Sequence, residues 1–61
     1  MNNENDFYTT YELAKMLKLN VMTIYRYIGT GKLIAHKFGK EYRVSKVDLD
    51  KFLKSTKTHA K

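Results

Sequence analysis

The fold is decided by one stretch, LNVMTIYRYIGTGKLIAHKFGKEYRV, which runs from Leu19 to Val44 of this 61-residue chain. Its first half predicts a helix, because Asn20 is a good N-cap residue and aliphatic residues recur after it at helical spacing. The helix is expected to run to about Thr30, where Gly31 can end it in a left-handed conformation. Short strands on either side of Gly39 then predict a β-hairpin, and nearly all the charges of the stretch are basic.

An earlier helix is predicted just upstream, where the chain reads YTTYEL. Thr9 and Glu12 have the spacing of a capping box, in which the Thr side chain accepts a hydrogen bond from a free backbone N–H. Apolar residues at helical spacing predict that this helix runs from about Thr10 to Leu17 or Lys18. Because only KLN separates it from the next helix, the two are predicted to form a helix-turn-helix.

The hairpin is predicted to have a three-residue loop, Gly39 to Glu41. This register pairs Phe38 with Tyr42 and Lys37 with Arg43. Apolar side chains then face apolar ones and basic side chains face basic ones, so we prefer this loop to a two-residue one.

A third helix is predicted after the hairpin, with Ser45 as its N-cap and Asp48 three residues further on. The residues predicted for its inner face are Val47, Leu49, Phe52 and Leu53. Residues 1–7 are polar and Asn-rich and are expected to form a flexible N-terminus. Residues 55–61 lack apolar periodicity and are expected to be a disordered basic tail, which leaves one folded domain at 8–54.

Composition limits the possible functions. The net charge of +6 and a pI near 9.7 favour a polyanionic partner, either nucleic acid or an acidic membrane face. There is no cysteine, so neither a disulfide nor a thiolate metal site is expected. No apolar run approaches the roughly 18 residues of a membrane-spanning helix, and MNNENDF lacks the features of a signal peptide. A soluble cytoplasmic protein is therefore expected.

The sequence carries no pattern typical of catalysis. His36 and His59 have no ligand partner at suitable spacing, and no Ser–His–acid set, carboxylate pair or phosphate-binding loop is present. We therefore expect no enzyme activity, no metal and no cofactor.

The second helix has one face suited to nucleic acid. If its isoleucines point inward, Met22 and Arg26 point outward and Thr23 and Tyr25 lie on the flanks. An outward Arg in the N-terminal half of a helix can reach a base edge or a phosphate, and a neighbouring hydroxyl can bond a phosphate oxygen. The hairpin adds a second basic edge. The candidate DNA-contacting residues are Met22, Thr23, Tyr25, Arg26, Lys32, Lys37, Lys40 and Arg43.

The pieces YTTYELAKML, N-x-x-T-I-Y-R, GKL, FGKEYRV and DLDKFL, in this order over residues 8–53, resemble the excisionase and MerR-like winged helix-turn-helix family. The resemblance implies a mainly α fold with a small β-hairpin: a helix-turn-helix, a two-stranded wing and a third helix. It also implies a DNA-reading second helix that carries Thr23, Tyr25 and Arg26. The wing residues that it implies are Lys37, Lys40 and Arg43.

Two positions depart from the family pattern. Lys18 stands where the family commonly has Gly, which bears on the geometry of the turn between the helices. Tyr42 stands where Trp is more usual, which is a mild change.

Several residues have a plain structural interpretation. Tyr27 is expected to be a core aromatic, and His36 is expected to be partly buried in the hairpin. Tyr25 can serve in the core or on DNA. Met22 can touch a thymine methyl group or fill a gap in the core. Each wing lysine can contact DNA or simply maintain solubility and protect an edge strand.

The function favoured by these observations is sequence-specific binding of double-stranded DNA. An excisionase-type recombination directionality factor that binds and bends DNA is preferred, with an integrase as a further partner. A small transcriptional repressor of a mobile element fits nearly as well. A protein-interaction module on the same fold ranks lower, and a membrane binder is disfavoured because no helix combines a wide apolar face with a lysine face. With no dimerisation helix or effector domain in the sequence, we expect a monomer in solution that binds DNA cooperatively.

Overall fold

The computed structural model describes residues 7–57 and has the architecture of a winged helix-turn-helix, as the sequence predicted. In chain order the elements are β1 (Phe7–Thr9), α1 (Thr10–Leu17), α2 (Val21–Gly29), β2 (His36–Phe38), β3 (Glu41–Ser45) and α3 (Lys46–Ser55). Helices α1 and α2 form the helix-turn-helix, and the β2–β3 hairpin forms the wing. None of the helices described between Phe7 and Lys57 is long and apolar enough to cross a membrane.

The helix starts follow the predicted caps. Thr9 and Glu12 form a reciprocal capping box: the Glu12 N–H donates to Thr9 Oγ1 at 3.1 Å, and the Thr9 N–H donates to Glu12 Oε1 at 2.9 Å. Asn20 Oδ1 accepts from the Met22 N–H at 2.8 Å, and Ser45 Oγ accepts from the Asp48 N–H at 3.1 Å. These bonds satisfy N–H groups that have no partner inside their own helix.

Lys18 ends α1 in a left-handed conformation, with φ 57° and ψ 44°. The chain reverses there through a bond from the Leu19 N–H to the Ala14 carbonyl at 2.8 Å, as in a Schellman motif. A residue with a β-carbon is strained in this region, whereas glycine is not. The departure noted at Lys18 therefore carries a conformational cost.

Replacing Lys18 by glycine should stabilise the domain. Relief of the left-handed strain should raise the free energy of unfolding by roughly 1–2 kcal/mol. Glycine has more backbone entropy in the unfolded chain, which lowers that gain by roughly 0.5–1 kcal/mol. We expect Lys18→Gly to raise the free energy of unfolding in urea by up to about 1.5 kcal/mol. The matched control is Lys15→Gly, an exposed position inside α1, which should lower it by about 1 kcal/mol. Equal effects of the two variants would contradict this account of the turn.

The sheet has one more strand than was predicted. Its order is β1-β3-β2, all antiparallel, and Phe7 of β1 pairs with Ser45 of β3. Phe7 falls in the range predicted to be a flexible terminus, so that boundary is wrong by one residue. Ser55 likewise belongs to α3 rather than to a disordered tail. The rest of the predictions for 1–6 and 58–61 lie outside the described residues.

The hairpin register differs from the prediction. Phe38 pairs with Glu41 and Lys37 with Tyr42, so the loop contains two residues rather than three. Gly39 has φ 66°, and positive φ at the first loop position alone is the pattern of a type II′ turn, which suits the twist of two-residue hairpins. The turn preference therefore outweighed the pairing of like side chains on which the prediction was based.

The register decides which side chains share a face of the sheet. Directly opposed residues of antiparallel strands point to the same side. Lys37 and Tyr42 therefore lie on the same side as buried Val44, whereas Phe38 and Arg43 lie on the outer side. The prediction that Lys37 and Arg43 face each other is wrong.

The core lies between the helices and the inner side of the sheet. Its buried apolar residues are Leu13, Ala14, Ile24, Leu33, Val44, Leu49 and Phe52. Leu33, in the segment between α2 and β2, was not assigned to the core from the sequence, yet it is only 1% exposed. Val47 and Leu53 were assigned to it wrongly, because α3 contacts the core through the narrow stripe of Leu49 and Phe52.

Candidate nucleic-acid interface

Helix α2 presents the face that its helical spacing predicted. Ile24 is fully buried, Met22 is 64% exposed, and Arg26 is exposed beside the half-buried Thr23. Arg26 lies in the last turn of α2 and not in its N-terminal half, which corrects the predicted position. Helical side chains lean toward the helix N-terminus, so a long side chain at Arg26 can reach over the middle of the helix.

The N-terminus of α2 differs from those of the other two helices. Glu12 lies in the first turn of α1 and Asp48 in the first turn of α3, but α2 has no acid there and is capped by the neutral Asn20. The positive end of its dipole is therefore not offset by a carboxylate of its own first turn. Such a helix end is suited to lie near a phosphate.

Tyr25 lies between α1, α2 and the wing. Its ring contacts the Tyr42 ring, with centroids 6.2 Å apart at 66°, and its hydroxyl accepts a bond from Thr10 Oγ1 at 3.3 Å. That bond uses a lone pair of the Tyr25 oxygen, so the Tyr25 O–H can still donate to an outside acceptor. Tyr27, by contrast, packs its ring 5.2 Å from that of Phe52 beside the core, as predicted.

The two strand cations of the wing have different surroundings. Lys37 Nζ lies 5.5 Å from the centroid of the Tyr42 ring. On this side of the sheet, Tyr42 also contacts Tyr25 of α2. Arg43 lies on the outer side, where it donates to Glu41 Oε1 at 2.9 Å and covers the ring of Phe38. The charge of Arg43 is therefore partly offset by Glu41.

The cations can be sorted by their partners. Arg43 pairs with Glu41, and Lys46 Nζ lies 3.3 Å from Asp50 Oδ2. Within residues 7–57, four candidate cations form no ion pair: Arg26, Lys32, Lys37 and Lys40. These four retain a full charge for an outside anion.

His36 is exposed, contrary to the prediction of partial burial. The register puts it on the outer side of the sheet, where its ring meets that of Phe7 at 5.8 Å and its Nε2 lies 3.6 Å from Asp48 Oδ2. Among residues 7–57 there is no group of three or more His, Cys, Asp or Glu residues that could hold a metal ion.

The sequence did not predict the contacts of Tyr42 with Tyr25 and Lys37. These contacts depend on the register of the two wing strands. The predicted register, which paired apolar residues with apolar ones, placed Tyr42 opposite Phe38 instead of Lys37. Gly39 directly before Lys40 was the signal that could have found them, because glycine in the first position of a two-residue loop is typical of a type II′ turn.

The fold and this basic, acid-poor surface define a helix-turn-helix DNA-binding domain. The chain belongs to the helix-turn-helix domain family, which matches it over residues 7–57. It is also similar to "Uncharacterized protein YvgK" of Bacillus subtilis (strain 168), with 38% identity over 50 residues. That match covers 82% of this chain but 16% of the relative, so the chain spans only a small part of the relative's length. No solved structure shows a significant match.

Proposed function

We propose that this chain is a sequence-specific DNA-binding protein of the excisionase type, which binds and bends DNA to direct recombination. The observation that carries the proposal is the combination of an acid-free helix α2 with cations on α2 and on the adjoining wing that form no ion pair within residues 7–57. Helix α2 enters the major groove, with Met22, Thr23 and Arg26 toward the base edges. The wing then lies over the backbone or enters the adjacent minor groove.

The remaining candidates act chiefly on phosphates. Lys37, Lys40 and Lys32 supply unpaired charge, and the Tyr25 hydroxyl donates to a phosphate oxygen. Arg43 contributes less, because Glu41 offsets its charge. Phosphate contacts of this kind fix the register of the protein on DNA without reading sequence.

The domain is proposed to act as several copies on adjacent sites. Each helix already uses its buried residues in one small core, namely Leu13 and Ala14 in α1, Ile24 in α2, and Leu49 and Phe52 in α3. One such domain reads few base pairs, so adjacent copies would multiply its discrimination between sites. Neutralising phosphates along one side of the DNA favours bending, which would prepare the site for an integrase.

Two experiments test this proposal: sedimentation of the free protein, and footprinting on DNA that flanks its gene. We expect a monomer in solution, protection of directly repeated sites, and bending in a circular-permutation gel assay. A tight dimer that protects an inverted repeat would point to a transcriptional repressor instead. Absence of protection on any DNA would overturn DNA binding by this surface.

Salt dependence distinguishes the unpaired cations from the paired one. With phosphate contacts from Lys32, Lys37 and Lys40, the logarithm of the binding constant should fall with a slope of roughly −2.7 against the logarithm of salt concentration, at about 0.9 for each contact. Lys40→Ala should reduce this slope by about 0.9. The double variant Glu41→Ala/Arg43→Ala removes an ion pair without changing the net charge and should leave the slope unchanged. Fluorescence anisotropy with labelled DNA measures all three, and a wild-type affinity that is insensitive to salt would contradict the electrostatic assignment.

A further inference from the structure

A continuous set of contacts links the start of α1 to the wing. Thr10 is 3% exposed and donates its hydroxyl to Tyr25, whose ring meets the Tyr42 ring, over which Lys37 Nζ lies. The set therefore begins at a buried side chain and ends at the Lys37 ammonium group, which forms no ion pair with any residue that the structure describes. It crosses α1, α2 and both strands of the wing.

A free lysine side chain has many rotamers, and fixing it on DNA carries an entropic penalty of up to about 2 kcal/mol. An aromatic ring that attracts the ammonium group lowers this penalty by holding the side chain in place before binding. Tyr42 is such a ring for Lys37, and Tyr25 buttresses Tyr42 from α2. Arg43 and Lys40 do not take part in these contacts.

We infer that Tyr25 and Tyr42 are positioning residues, which hold the charge of Lys37 in a fixed relation to α2 so that helix and wing meet DNA as one preformed surface. The inference rests on the proposed function for its consequence on DNA. The positioning itself is a property of the free protein, so the two can be tested separately.

The first experiment uses the wild-type protein without DNA. Ring currents from Tyr42 should shift the proton resonances of the Lys37 side chain upfield in the NMR spectrum, whereas those of Lys40 should be at ordinary values. Tyr42→Leu should abolish the shift, and Tyr25→Leu should reduce it. Ordinary Lys37 shifts in the wild-type protein would overturn the inference whatever the protein does with DNA.

The second experiment is a double-mutant cycle for DNA affinity. Tyr42→Leu should weaken binding about two- to five-fold. This is the change in the equilibrium constant that corresponds to the loss of one surface cation–π contact. It should leave the salt slope unchanged, because the Lys37 charge is still present. In a Lys37→Ala background the same substitution should have no further effect, while in the matched Lys40→Ala background it should have its full effect.

The outcomes separate the inference from the proposed function. A Tyr42→Leu effect that is equal in the two lysine backgrounds would overturn the positioning role and leave DNA binding intact. A wild-type protein with the shifted Lys37 resonances and no affinity for DNA would keep the positioning but overturn the proposed function. Tyr42→Phe retains the ring and should behave as the wild type in both experiments, which excludes loss of the hydroxyl as the cause. A general loss of structure in Tyr42→Leu would weaken binding in the Lys37→Ala background as well.

Discussion

Leu33→Ala is expected to lower the free energy of unfolding by about 2–5 kcal/mol, the range for truncating a fully buried leucine. Leu33 is 1% exposed and packs in the core although it lies in the irregular segment between α2 and β2. Domains have stabilities of roughly 0.05–0.15 kcal/mol per residue, so a chain of this size has only a few kcal/mol to lose. A large fraction of the variant should therefore be unfolded at room temperature, as measured by circular dichroism in urea.

The neighbouring residue provides the matched control. Ile34 has a side chain of similar size but is 57% exposed, so Ile34→Ala should change the stability by less than about 0.5 kcal/mol. Similar losses for the two variants would mean that the segment does not pack as described. DNA affinity should follow the folded fraction in Leu33→Ala and stay close to the wild-type value in Ile34→Ala.

Local features of this fold could be predicted from the sequence. The capping box of Thr9 and Glu12, the cap at Asn20 and the helix end at Gly31 each depend on bonds within a few residues. Such signals are read directly from short patterns. The starts of α1 and α2 followed from them.

Features that depend on distant pairing could not be predicted in the same way. Strand β1 is only three residues long and exists because Phe7 and its neighbours pair with β3, nearly forty positions along the chain. Its sequence alone has no strand pattern long enough to recognise. Burial of Leu33 likewise depends on where the chain after α2 crosses the core.

The candidate site also contains both local features, which the sequence predicts, and features that depend on distant pairing, which it does not. Met22 and Arg26 were found from helical spacing, since their exposure depends on one helix. The pairing of Arg43 with Glu41 and the contact of Lys37 with Tyr42 are consequences of strand register. A shift of one residue exchanges the two sides of a strand, so an error in the loop length changes which charges face α2.

Arg26→Ala is expected to weaken binding to the specific site by about 1–3 kcal/mol, the range for one bidentate contact to a base. Its effect on random DNA should be smaller, because only the charge is lost there. Lys40→Ala should weaken binding to both DNAs by similar factors, since a phosphate contact carries no sequence information. Competition binding with a footprinted site and a scrambled one measures the four changes.

Arg26→Lys isolates the reading of the base from the charge. Lysine keeps the positive charge but lacks the planar fork that matches two acceptors on a guanine. It should therefore lose affinity for the specific site nearly as Arg26→Ala does, while binding scrambled DNA as the wild type does. If Arg26→Lys keeps the wild-type affinity for the specific site, Arg26 contacts only phosphate, and the bases are read by the neighbouring Met22 and Thr23 of α2. If Lys40→Ala is the variant that loses specificity, the wing reads the sequence and α2 serves to hold the backbone.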